Sequence, residues 1–178
     1  FLTAQRADIL EAEEKLRQII EELSVLMEKQ FREQFKVISE NFSQVFQEMF
    51  GGGKAYLKLT DAENVLESPI DIVAQPPGKN LQNMQLLSGG ERALTAIAIL
   101  FSILKMKPSP FCILDEIEAA LDDANVTRYA RYLKQFAEDT QFIVITHRKG
   151  TMEHADVLYG VTMQEKGISK LISVDFSE

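Results

Sequence analysis

Phe111-Cys112-Ile113-Leu114-Asp115-Glu116 places four apolar residues directly ahead of two acids. A short apolar run of this kind reads as a buried strand, and the acids then stand at its C-terminal edge. In open parallel sheets, ligands bind at that edge. A carboxylate there can hold a magnesium ion that bridges nucleotide phosphates. A second carboxylate beside it can take a proton from an attacking water. An acidic pair after a strand can also do no more than cap the next helix or face solvent.

Two neighbouring stretches share this layout. Phe142-Ile143-Val144-Ile145-Thr146-His147 is another apolar strand ending in polar residues, and a histidine there can hydrogen-bond a terminal phosphate. His154, in a short polar segment, reads as a structural residue. Upstream, Leu87-Ser88-Gly89-Gly90-Glu91 opens a helix. Ser88 and Glu91 have capping-box spacing, which needs no ligand. Stability alone does not call for two glycines in a first turn, since each weakens a helix by roughly 1 kcal/mol relative to alanine. Bare backbone N–H groups at the positive end of a helix suit a phosphate, with the Ser88 hydroxyl as a further donor.

The rhythm around these motifs sets the fold class. A helix over residues 88–105 leads to the strand at 111–114, and a helix over 123–137 leads to the strand at 142–145. Two more strands are expected near 156–162 and 168–174. Short apolar strands alternating with helices imply an α/β fold with a mostly parallel sheet covered on both faces. Ahead of this region, residues 55–60 alternate as a strand, 61–69 read as a loop and 70–74 as a second strand, antiparallel to the first. Pro76-Pro77-Gly78 stops it.

Residues 3–50 contain no Pro and no Gly. Leu16, Ile20, Leu23 and Met27 are spaced 4, 3, 4, the seam of a coiled coil. The stripe then turns aromatic through Phe31, Phe35 and Phe42, as expected where a helix docks onto a globular body. One helix of this length spans roughly 70 Å. It reads as a coiled-coil root, residues 1–50, on a lobe of residues 51–178; a long amphipathic core helix is the plainer alternative. The start at Phe1 suggests a piece of a longer chain.

Composition narrows the classes. The net charge of -8 makes the chain a poor electrostatic binder of DNA on its own. A single cysteine, Cys112, excludes an internal disulfide. No apolar run approaches the ~20 residues of a membrane helix, so no membrane partner is expected. A P-loop needs G-x-x-x-x-G-K-[ST]. Gly53-Lys54 is followed by Ala55, with Glu48 at the first glycine position. Gly78-Lys79 is followed by Asn80, with Val73 there. Neither qualifies, so the groups that cradle a β-phosphate must come from elsewhere.

In order and spacing these motifs resemble the C-terminal half of an ABC-type ATPase head, and most closely that of the bacterial SMC (structural maintenance of chromosomes) family. The resemblance rests on residues 50–55 (FGGGKA), 72–79 (IVAQPPGK), 86–100 (LLSGGERALTAIAIL), 113–126 (ILDEIEAALDDANV) and 145–152 (ITHRKGTM). Ile117-Glu118 stands where ABC transporters carry Pro-Thr. The resemblance implies that Asp115 holds Mg2+, Glu116 activates water and His147 contacts the γ-phosphate of ATP. Ser88, Gly89 and Gly90 form the signature that meets the ATP of an opposite head, and Asp122 belongs to a D-loop that communicates across the dimer. It further implies an N-terminal lobe bearing the P-loop, a homodimer of heads, a kleisin subunit docking through its C-terminal winged-helix domain near residues 158–174, DNA handled by the assembled complex, and a cytoplasmic, nucleoid-associated setting. A related coiled-coil DNA-repair ATPase and a non-catalytic interaction lobe are the alternatives.

Overall fold

The computed structural model describes residues 2–138 and 140–176. It opens with one unbroken helix, α1 (Leu2–Phe50). Three successive glycines end it, each with positive φ: Gly51 at 70°, Gly52 at 133° and Gly53 at 88°. Gly52 N–H reaches back to Gln47 O at 2.9 Å, the six-to-one bond of a Schellman ending. At Gly53 the chain passes so close to strand β2 (Ile70–Gln75) that a Cβ would sit 2.3 Å from Gln75 O. Glycine is required there by both conformation and space.

The helix leads two lives. In its first half Leu16, Ile20, Leu23 and Met27 are more than half exposed. Pairs of the i,i+4 type, Glu11–Lys15, Glu13–Arg17 and Glu28–Arg32, lace its surface, worth only a few tenths of a kcal/mol each. The expected seam is present and carries no partner within the described residues. From Phe31 the stripe begins to bury. Phe42, Val45, Phe46 and Met49 are fully buried. The Phe46 and Phe50 rings stack at 4.1 Å.

This aromatic end of α1 is half of the core. The other half is the helix α2 (Gly89–Met106), whose Leu94, Ile97, Ala98 and Phe101 are buried, and α3 (Asp123–Phe136), with Val126, Tyr129 and Tyr132. Phe101 lies at the centre, its ring 5.2 Å from Tyr132, 5.6 Å from Phe136 and 6.0 Å from Phe142. Because the last turns of α1 belong to this core, the root helix and the lobe are packed as one body at their junction.

Strand β1 (Lys54–Leu59) pairs antiparallel with β2, as expected, and β2 pairs with a two-residue β3 (Gln82–Asn83). A 3-10 turn (Met84–Leu86) then leads into α2. Strands β4 (Phe111–Asp115) and β5 (Gln141–Ile145) are parallel, joined by the α3 crossover. A short α4 (Lys149–Met152) follows, then an antiparallel hairpin of β6 (Val157–Glu165) and β7 (Ile168–Asp175). Among the described residues, parallel pairing is thus confined to β4–β5.

The expectation of a sheet covered on both faces is corrected. Leu114 is buried, and Cys112, Phe142 and Val144 pack against the core. The alternate residues Phe111, Ile113, Ile143 and Ile145 are 55, 58, 48 and 52 % exposed. Strand residues alternate faces, so one whole face of the ladder is bare. Every residue of β7 is exposed as well. The apolar run at 111–114 is what a two-face-buried strand looks like in sequence, but this chain supplies the cover for only one face. Among the described residues no helix is long and apolar enough to cross a membrane.

Candidate functional site

The C-terminal ends of β4 and β5 hold the acids and the histidine. Asp115 closes β4 and is exposed. Glu116 follows with φ 48°, the one positive-φ non-glycine among the described residues. Such a conformation costs about 1 kcal/mol or more and clusters at functional sites. It is held by ladder continuity, since Glu116 N–H donates to Ile145 O at 2.9 Å. His147, two residues beyond the end of β5, places Nδ1 3.1 Å from Glu116 Oε1. An ionised carboxylate can only accept, so in that pairing Nδ1–H donates. Both side chains remain half exposed. The structure thus joins two residues that lie 31 apart in sequence.

The turn after Glu116 is tightly wound. Ala119 N–H donates to Glu116 O and Leu121 N–H to Glu118 O. Leu121 is buried and Asp122 caps α3, its Oδ1 accepting from Asn125 N–H at 2.8 Å. Asp122 therefore has a structural task at α3 whatever else it does. Arg148 ties this turn to the histidine segment, donating to Leu121 O at 3.0 Å and to Asp123 Oδ1 at 2.9 Å.

The tip of α2 forms a separate cluster. Ser88 is the N-cap, with Glu91 at the third position. The Glu91 carboxylate accepts the Ser88 N–H at 3.1 Å and the Ser88 hydroxyl at 2.6 Å. Lys79 Nζ reaches the same carboxylate at 2.8 Å. The Lys79 hydrogen bond, and next the Ser88 hydroxyl, hold the Glu91 carboxyl below its ordinary value of 4.5. The Ser88 hydroxyl is therefore already engaged, and it must turn away from Glu91 to serve another acceptor. The two glycines are open: a Cβ at Gly89 would meet nothing within 4 Å, and one at Gly90 would meet only Ala120 O, at an ordinary 3.5 Å. Neither glycine is demanded by packing within the chain. Gly90 also brings α2 against the turn that carries Asp122.

Sequence reasoning passed over Lys79, Glu118, Thr146 and Arg148. The third acid of Asp115-Glu116-Ile117-Glu118 was visible as a letter, but its burial was not. His154 is a structural residue as read, its Nδ1 2.9 Å from Gly150 O. The described residues contain no cluster of three or more His, Cys, Asp or Glu side chains able to hold a metal. A cation at Asp115 would take one carboxylate from this chain and its remaining oxygens from water, phosphate or other protein, which is how magnesium is usually held.

The family model described as RecF/RecN/SMC N terminal domain matches residues 5–170. The chain belongs to this RecF/RecN/SMC family. The chain is 64 % identical over all of its 178 residues to the chromosome partition protein Smc of Bacillus subtilis, of which it spans 15 %. It is 40 % identical, at a TM-score of 0.79, to an Smc head domain with an extended coiled coil from Pyrococcus furiosus, solved bound to the C-terminal domain of ScpA; the match covers 98 % of this chain and 44 % of that one. It is 44 % identical, at a TM-score of 0.77, to a chain solved in work on ATP-driven dimerization and DNA-stimulated activation of SMC ATPases, covering 84 % of this chain and 90 % of that one. These matches establish the family and the α/β head fold. They do not establish a C-terminal half: the matching model is described as an N-terminal domain, against that expectation.

Proposed function

We propose that this chain is the lobe of an SMC ATPase head that carries the signature, Walker B, D-loop and switch histidine, and that a P-loop lobe completes it. One observation carries the reading. The ladder that ends in Asp115, Glu116 and His147 has a bare apolar face, and no P-loop exists anywhere in the sequence. A half-covered sheet beside a half-equipped phosphate site calls for a second lobe across Phe111, Ile113, Ile143 and Ile145. Because a coiled-coil helix, and not a P-loop, occupies the stretch shortly upstream of the signature, we place this lobe on the C-terminal side of the arm; the full-length gene tests that placement directly. The division is a root helix over residues 1–50 and a lobe over 51–178, residues 1, 139, 177 and 178 lying outside the described ones.

In this reading Asp115 would hold Mg2+, which when bound would neutralise phosphate charge. Glu116 accepts a proton from the attacking water, its backbone strain aiming the carboxylate off the strand end. His147, oriented by Glu116 through Nδ1, presents Nε2 toward the γ-phosphate of ATP. The amides at Ser88, Gly89 and Gly90 meet the ATP of an opposite head, using the open helix tip. Asp122 communicates across the dimer, and Arg148 ties its turn to the histidine segment. The bare seam of α1 takes the other strand of the coiled coil. The second head, a kleisin winged-helix domain on the exposed β6–β7 hairpin, and DNA in the assembled complex are the partners, in a cytoplasmic, nucleoid-associated setting.

The test is Glu116→Gln in the full-length chain. Turnover should fall by about a hundredfold or more, and ATP-bound dimers should accumulate because binding survives. Turnover at the wild-type rate would remove Glu116 as the base.

A further inference from the structure

Glu118 is the most deeply buried acid described in the chain, with no exposed surface. Its Oε1 accepts hydrogen bonds from two hydroxyls on different segments, Thr146 Oγ1 and Thr151 Oγ1 at 3.0 Å. Its Oε2 has no hydrogen-bond partner within the described chain, and neither does the Tyr129 hydroxyl. Burial first, and then the charge of Glu118, push the Tyr129 hydroxyl up from its ordinary value. Burying a carboxylate among apolar neighbours costs stability, and an apolar side chain of similar volume would often serve the core as well. The acid is therefore better explained by what it holds.

What it holds is the geometry of the reacting pair. Glu118 lies two residues after Glu116, at the turn where Glu116 O accepts from Ala119 N–H. Thr146 lies one residue before His147, and its hydroxyl oxygen also accepts the Arg148 N–H at 3.0 Å. Thr151 anchors the helix that follows. A single carboxylate thus pins the segments on both sides of His147 to the turn that carries Glu116.

We propose that Glu118 is a positioning residue: its buried carboxylate clamps Thr146 and Thr151 and so fixes His147 against Glu116 for hydrolysis. The proposal rests on the assignment of Glu116 as the base, and the experiment separates the two. In the full-length chain, ATP turnover, KM and nucleotide-dependent head dimerisation are measured for Glu118→Leu, Glu118→Gln, Thr146→Val and, as a reference, Glu116→Gln. Glu118→Leu removes both acceptors and should lower kcat about a hundredfold, the loss expected for a reacting group misplaced by about 1 Å. KM and dimerisation should stay within about twofold, because the hydrogen bonds of the clamp run to Thr146 and Thr151 and not to the α2 tip or Asp115. Glu118→Gln keeps one acceptor oxygen and should restore kcat to within a few-fold of wild type. Thr146→Val cuts one leg of the clamp at constant volume and should lower kcat with KM unchanged; it carries the test if Glu118→Leu does not fold. Wild-type kcat in Thr146→Val or Glu118→Leu overturns the proposal. So does an equal loss of kcat, KM and dimerisation in Glu118→Leu and Glu118→Gln, which marks a merely structural acid. Full activity in Glu116→Gln overturns the base assignment instead.

Discussion

Alanine at Gly89 and Gly90 should separate stability from activity. Neither glycine has positive φ, so an L residue fits the backbone at both. The added Cβ meets nothing at Gly89 and only an ordinary 3.5 Å contact with Ala120 O at Gly90. With no clash and no strain, the remaining effect on folding is helix propensity. Alanine gains up to about 1 kcal/mol over glycine in a helix interior, and less in a first turn. The pair together should add about 1 kcal/mol, which raises Tm by about 2–4 °C for a domain of this size. Activity should move the other way. If the helix tip meets a phosphate through bare amides, two methyl groups hold the ligand off by about 1 Å, and misplacement of that order costs about a hundredfold. The assay is a thermal scan of the completed head beside ATP turnover and nucleotide-dependent dimerisation. A drop in Tm of several degrees would refute the packing argument. Unchanged turnover in a folded double variant would falsify phosphate contact at this tip.

Two further outcomes follow from the same geometry. Lys79→Met removes the first cause of the lowered Glu91 pKa. A depressed carboxyl contributes stability above its unfolded value of 4.5 and loses it as pH falls through the lower folded value. The wild type should exceed the variant by about 0.2–1 kcal/mol near pH 7, the gap closing once the pH falls below the lowered folded value; urea unfolding followed from neutral to acid pH checks this, and a gap that does not change with pH would rule the ion pair out as its source. Phe46→Ala empties a fully buried site stacked on Phe50 and should cost about 3–5 kcal/mol. A loss below about 1 kcal/mol in denaturant unfolding would show that α1 is not part of the core.

What could be read ahead of the structure was local. Ser88 and Glu91 stand three apart, so their mutual capping is written in contiguous residues. The three glycines after Phe50 announce a stop because few other residues adopt positive φ. The Leu16 to Met27 spacing announces a seam for the same kind of reason, since a helix repeats within a few residues. The alternation of apolar strands with helices likewise announced the parallel β4–β5 pair and its crossover.

Misreadings arose where a local pattern has two tertiary solutions. Phe111 to Leu114 is uniformly apolar, which says that both faces will meet apolar surface without saying whose. The chain covers one face and leaves Phe111 and Ile113 exposed. In sequence, Lys79 reads as part of a failed P-loop candidate, and only the return of the chain past α2 sets it on Glu91.

By itself, then, the amino-acid order determined the helix that enters the lobe, the strands, the caps and the edge at which acids and histidine stand. These depend on interactions within a few residues. The tertiary structure alone decided that Glu116 meets His147, that Glu118 is buried against Thr146 and Thr151 and that one face of the ladder lies open. Those facts depend on residues about thirty positions apart meeting through packing, a relation that no short stretch of chain contains.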